Sequence, residues 1–239
     1  MPLTSGKRDG TCRSILTSVS YYLCHSRRKD PIITEYQLHG QVLSTVPSTN
    51  YLGLTIQDDG EWREHINHLE SKGNKMLGFL KRNLKIDNKS AKIEGYKMLV
   101  RQPIEYASII WDPYYQIDIN KFEKIQRRAA RFVQGDYKQS SSVTAMLDTL
   151  QWPSLEQRRR ETRINYLAKI MTDKVAVKKD LLIPATDRPR RSHNYQLKLI
   201  TTTRNYRKFS FFPRTIQEWN ALPATSVPKD VESFFGKRH

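Results

Sequence analysis

From Ile66 onward the apolar residues of this chain recur three or four positions apart: Ile66, Leu69, Gly73, Met76, Leu77, Leu80 and Leu84 fall on one side of a helix. An α-helix turns once in about 3.6 residues, so this spacing gathers them into a stripe that must be buried. Asp59, ahead of Gly60, offers a side-chain acceptor for the free N–H groups of the helix start. A second helix is predicted from about Asn88, with Ile93, Tyr96, Val100, Ile104 and Ala107 along one face. Pro103 must bend or break it, because proline has no N–H to donate and its ring clashes with the preceding turn. A third helix is predicted after Asp118, with Phe122, Ile125, Ala129, Phe132 and Val133 as its apolar face. Ser142 to Leu150 is a short helix candidate. Trp152-Pro153 then reads as a stop, and Ser154 with Gln157 as a reciprocal capping box. The helix they open should run to about Asp173 and carry Leu167, Ile170 and Met171. The arginine-rich stretch from Asp187 to Thr203 reads as a loop or linker, and the aromatic cluster from Phe209 to Leu222 as a small packed element. The candidate core of the first three helices is Ile66, Leu69, Leu80, Val100, Ile104, Phe122, Ile125 and Phe132.

Ahead of Asp58 the pattern differs. Ile32 to Leu38, Gln41 to Val46 and Tyr51 to Ile56 are short β-prone runs, separated by His39-Gly40 and by Pro47 to Asn50, as in hairpins. Residues before them show no period and are expected to be weakly structured. The expected architecture is therefore mainly α, with a small β-hairpin element, a helical bundle and a helical C-terminal tail. The boundaries are drawn at 1–31, 32–57, 58–139 and 140–239.

Charge narrows the partner. Among 239 residues, 41 are Lys or Arg and 24 are Asp or Glu, a formal net charge of +17. Such an excess favours a polyanion. No apolar run is long enough for a bilayer span or a signal peptide, so the expectation is an intracellular chain, nuclear or cytoplasmic, without a membrane partner. Cys12 and Cys24 match no zinc module and are expected to be reduced thiols.

On the third helix, Lys121, Lys124, Arg128 and Arg131 recur at three, four and three residues, and Arg127 widens the stripe. On the helix after Ser154, Arg158, Arg159, Arg160, Arg163 and Lys169 follow. One basic helix alone is an ordinary solvated surface. Two in succession on so basic a chain point to phosphate contacts without sequence preference. The candidate nucleic-acid-binding residues are Lys121, Lys124, Arg127, Arg128, Arg131, Arg158, Arg159 and Arg163. No catalytic, metal or cofactor site is expected. Asp58-Asp59 precedes a glycine at a helix start and reads as a turn and cap, not a magnesium site. His65 and His68 lack a third ligand at metal spacing. There is no Gly-x-Ser-x-Gly and no phosphate loop. Arg188-Pro189-Arg190-Arg191 is a basic cluster that chance explains as well as nuclear targeting does.

A more specific pattern runs through these elements. Tyr51-Leu52-Gly53-Leu54-Thr55-Ile56, Trp62 with His65-Ile66, and Leu77 to Leu84 stand in order. They are followed by Leu99 to Ala107, Trp111-Asp112-Pro113, Gln126 to Val133 and Ser141 to Leu147. Leu150 to Arg159, Ser210 to Ile216 and Trp219-Asn220-Ala221-Leu222-Pro223 complete the series. This series resembles the part of non-LTR retrotransposon reverse transcriptases, jockey-like and related animal elements, that follows the catalytic palm. The resemblance covers roughly Ile32 to Phe235. It implies that the β-hairpin is a palm remnant, that Tyr51, Leu52 and Gly53 correspond to the primer grip, and that the helices from Glu61 to about Val133 correspond to the thumb. Gln102-Pro103 departs from the Arg-Pro order usual in that motif. The family's aromatic-x-Asp-Asp motif has no counterpart, and residues 1–29 do not resemble the palm. The expectation is a truncated RNA-directed DNA polymerase without its catalytic palm, not an enzyme as it stands, retaining at most sequence-independent binding of RNA, DNA or their hybrid. The alternative is a protein-interaction scaffold or an inert relic.

Overall fold

The computed structural model describes residues 13–17, 21–25, 35–38, 40–85, 87–185, 193–203, 205–231 and 234–235. The chain forms two compact units, Met1–Leu69 and Glu70–His239. The architecture is mainly α with small sheets.

The first unit carries β1 (Arg13–Thr17), β2 (Tyr21–His25), β3 (Gln37–Leu38), β4 (Gln41–Val42), β5 (Ser44–Val46), β6 (Ser48–Tyr51) and β7 (Leu54–Gln57). β1 pairs antiparallel with β2, and β5 joins the other edge of β2 in parallel. Strands thus occupy part of the segment expected to be weakly structured: Ile15, Leu16, Tyr21 and Tyr22 are β-prone, and their backbone groups pair across the two strands. β3 and β4 form a two-stranded hairpin. Ile32, Ile33 and Thr34 lie outside the described residues. The run expected as one strand from Tyr51 to Ile56 is instead the far end of a hairpin, with Tyr51 opposite Leu54. Leu52 (φ 50°) and Gly53 (φ 80°) are both left-handed, as a tight two-residue turn between twisted antiparallel strands requires.

Helix α1 (Arg63–Asn83) begins later than the sequence pattern suggested. Asp59 accepts from the N–H of Glu61 at 2.8 Å, closing a turn rather than capping the helix. The cap comes from Gln57, whose Oε1 accepts from the N–H of Glu64 at 2.9 Å. His65, buried, accepts the Thr55 N–H at Nδ1 (3.2 Å) and ties the helix to β7.

The second unit holds the remainder of α1, then α2 (Lys89–Tyr96), a π-helical turn (Lys97–Arg101), α3 (Gln102–Glu105), α4 (Ser108–Trp111), α5 (Gln116–Gln134), α6 (Val143–Thr149), α7 (Leu155–Met171), α8 (Asn205–Lys208) and α9 (Phe211–Asn220). Asn88 caps α2 by accepting from Ala91 N–H at 3.2 Å. Pro103 acts one turn early. With no proline N–H to continue the regular ladder, the helix widens ahead of it, and the Gln102 N–H reaches back five residues to Lys97 O. The break itself falls at Ala107, which is left-handed (φ 51°).

All eight candidate core residues are buried. A Cβ on Gly73 of α1 would lie 2.9 Å from the Ile125 side chain and 3.1 Å from that of Ile104, so α1 lies close against α5 there and any larger residue must push these side chains aside. Tyr96 stacks on Trp152 at 4.5 Å and donates to Gln126 at 3.2 Å, while Gln126 donates to Pro153 O at 2.8 Å. At the start of α7, Ser154 accepts from Gln157 N–H at 3.1 Å. The Gln157 side-chain amide for its part donates to Glu161 at 3.0 Å, one turn along the helix. The bundle and the tail helices share one compact unit, with α5 packed on α6 and α7 and α7 on α9. A second apolar cluster unites Leu167, Ile170 and Met171 with Leu182, Leu197, Ile216 and Trp219. Trp219 donates to Tyr195 O at 2.8 Å, and Asn220 brackets Leu197 by both its N–H and its carbonyl, pinning the segment that precedes α8.

Candidate nucleic-acid interface

Helix α5 is strongly two-sided. Phe122, Ile125, Ala129, Phe132 and Val133 are buried, which turns the basic stripe outward. Lys124, Arg127 and Arg128 are exposed, and Lys121 and Arg131 are half-buried. Lys121 is paired with Asp118 at 2.8 Å, so its charge is largely answered within the helix. Among the described residues the others make no ion pair, although the Asp136 carboxylate lies near enough to Arg131 to feel its charge. Arg128 donates to the Asn74 side chain on α1 at 3.0 Å, and Arg131 donates to Lys138 O at 2.8 Å. Among the described residues, none of Lys124, Arg127, Arg128 and Arg131 has a carboxylate in an ion pair.

Sequence reasoning missed the contribution of α1. Lys81 stands beside Arg128, with its ammonium 5.5 Å from the ring centre of Tyr137, just past the end of α5. Burial first, then the Arg128 charge, pulls the Lys81 ammonium below the ordinary lysine range. The site is thus a two-helix cationic strip: Lys81 and Asn74 from α1, Lys124, Arg127, Arg128 and Arg131 from α5, with Tyr137 at one end. Lys81 lies seven residues after Asn74, two turns along the same helix face. That spacing was visible in the sequence, but the pairing of α1 with α5 was not.

The α7 arginines form a different object. Arg159 and Arg163 are each 2% exposed. Arg159 Nε donates to Asp112 Oδ1 at 2.5 Å, and Arg163 Nη1 donates to Asp112 Oδ2. Arg163 Nη2 also donates to both oxygens of Glu218 on α9, at 2.7 and 2.8 Å. Arg214 completes the group, 3.1 Å from Asp112 and 3.4 Å from Glu218. Burial lowers the Arg159 guanidinium to about 10, with Glu123 and Glu105 opposing the shift, so it stays charged at neutral pH. Arg158 makes a two-pronged pair with Glu105 at 2.7 and 3.0 Å. The expectation that Arg159 and Arg163 track phosphates is therefore corrected: they face the interior and are consumed by carboxylates. Arg158 reaches the surface but already has its anion. Arg160 and Lys169 are exposed.

The remaining candidates separate cleanly. Tyr51, Leu52 and Gly53 are exposed at the tip of the β6–β7 hairpin, with Leu52 72% exposed. His65 is drawn down to about 4 by burial, with His68 adding to the shift, so it is neutral at physiological pH. Asp58 and Asp59 sit in the turn before α1. Among the described residues no group of three His, Cys, Asp or Glu side chains stands together as a metal site, and no helix is long and apolar enough to cross a membrane. Arg188 to Arg191 and Cys12 lie outside the described residues. Comparison with protein-family models, with curated proteins and with solved structures finds no match.

Proposed function

We propose that this chain binds nucleic acid through its phosphates, without reading sequence, along the α1–α5 strip. The observation that carries the reading is the set of α5 cations left without carboxylates on a chain of net charge +17. Lysine and arginine held at helical spacing neutralise successive phosphates and release their condensed counterions. The motif series from Tyr51 to Pro223 supports the more specific reading that the chain corresponds to the primer grip, thumb and tail of a non-LTR retrotransposon reverse transcriptase. The natural partner on that reading is RNA, DNA or their hybrid at a primed end. On that reading the chain on its own extends no primer, because the resemblance follows the catalytic palm and brings no aromatic-x-Asp-Asp motif with it; Asp59 accepts from the Glu61 N–H in the turn before α1.

Fluorescence anisotropy on duplex DNA across a salt series tests the binding. Log affinity should fall with log salt at about −0.9 per phosphate contacted, and Lys124→Gln, Arg128→Gln and Arg131→Gln together should flatten that slope by about two to three. An unchanged slope with unchanged affinity overturns the placement. A primer-extension assay with magnesium and nucleotides should give only background. Extension that vanishes in an Asp58→Ala, Asp59→Ala double variant overturns the non-polymerase reading.

A further inference from the structure

The far end of the strip has a feature that phosphate binding does not use. Gly135 (φ 71°) ends α5 in a left-handed turn, and Tyr137 follows two residues later. Its neighbours are anchored on both sides: Asp136 Oδ1 accepts from the Lys138 N–H at 3.0 Å, and Arg131 donates to Lys138 O at 2.8 Å. A tyrosine on a braced loop loses little further freedom on binding, yet Tyr137 is 58% exposed. Its described ring neighbour is the Lys81 ammonium. The cation therefore lies over the ring of this largely exposed tyrosine, with Arg128 next to Lys81 and Arg131 holding the loop.

A duplex offers such a surface only phosphates and sugar, because its bases are already stacked on one another. A single strand offers both parts, a base with an open π-face and a phosphate one bond system away. Proteins that hold single strands combine a basic track with aromatic platforms, and each base stacked on such a ring adds a contribution that every base can make. Building on the phosphate-binding reading above, we infer that this site takes single-stranded nucleic acid, with one base stacked on Tyr137 and the adjoining phosphates held by Lys81, Arg128 and Arg131. On this account the strip binds a strand end or an unpaired template stretch rather than the middle of a duplex.

The test uses the full chain and three labelled probes of equal length at one low salt concentration: oligo-dT, an abasic deoxyribose-phosphate strand, and a blunt duplex. Oligo-dT should bind about five- to a hundred-fold tighter than the abasic strand, the range expected for one stacked base. Tyr137→Leu should erase that gap, and Tyr137→Phe should keep it. The same variants should melt as the wild type does, because the side chain is exposed. Equal binding of oligo-dT and the abasic strand by the wild type overturns the inference, as does a gap that survives in Tyr137→Leu. The two readings fail separately. If the Lys124, Arg128 and Arg131 triple variant binds the abasic strand as tightly as the wild type, the phosphate placement falls, and the inference with it. If the triple variant loses affinity while Tyr137→Leu changes nothing, only the stacking inference falls.

Discussion

On α5, Arg128 and Arg131 reach outward to neutral oxygens on Asn74 and Lys138. On α7, Arg159 and Arg163 point inward and share Asp112. The residue type is the same and the spacing nearly so, yet among the described residues one pair makes no ion pair and the other is tied by carboxylates into the fold. Phase against the apolar stripe makes the difference. Arg159 and Arg163 lie four and eight residues after Leu155 and in step with Leu167, so they occupy positions of the buried face. Arg128 and Arg131 fall out of step with Phe122, Ile125 and Ala129. A basic residue in phase with a core stripe must bring its own carboxylate, because an unpaired buried charge is strongly unfavourable. Asp112 and Glu218 are those carboxylates, supplied from the end of α4 and from α9.

The sharpest way to break the contrast is to remove the hub. Asp112→Ala removes the carboxylate that Arg159, Arg163 and Arg214 share, leaves Arg163 and Arg214 on Glu218 and takes the ion-pair partner from buried Arg159, and should destabilise the chain by about 3–5 kcal/mol in urea unfolding. An unchanged midpoint would mean that the α7 arginines are not held as described. Arg159→Gln is next. It leaves Asp112 with two arginines and should cost about 1–3 kcal/mol of stability, while the salt slope of binding by the folded protein stays as in the wild type. A flattened slope in this variant would return α7 to the binding face. Arg128→Gln is the mirror image and the smallest in stability, within about 0.5 kcal/mol of the wild type. It should nevertheless flatten the salt slope by about 0.9, and a large loss of stability would show Arg128 to be a structural residue.

Much of the helical part was legible before any coordinates. Asn88, Ser142 and Ser154 each cap the helix that the pattern assigned to them. The apolar stripe of α5 is buried as its spacing requires, as are Ile66, Leu69, Gly73, Leu77 and Leu80 of the α1 stripe, with Met76 and Leu84 half-buried. The errors have local causes. The tight turn at Leu52-Gly53 hid inside a continuous β-prone run, since only the glycine marks it. Asp59 looked like a helix cap, but an aspartate that bonds the N–H two residues on makes a turn instead. Pro103 was expected to bend or break its helix; the chain widens into a π-helical turn just ahead of it, a detail of place that the proline alone does not fix. The site was half legible. The α5 stripe could be read from residue type and spacing. The loss of Arg159 and Arg163 to the interior could have been read from their phase with Leu155 and Leu167, but their partners come from 47 and 51 residues away for Asp112 and 55 for Glu218. No local pattern announces a pairing at that separation. The same holds for Lys81 and Tyr137, which only the packing of α1 beside α5 brings together.

Arginine footprinting measures the contrast directly. The chain is treated with an arginine-selective dicarbonyl, free and saturated with an oligonucleotide, and each site is read by mass spectrometry. Arg127 and Arg128 should react readily in the free chain and be protected in the complex, with Arg159 and Arg163 unreactive in both. Modification of Arg159 and Arg163 in the folded free chain, followed by their protection on binding, would contradict the account.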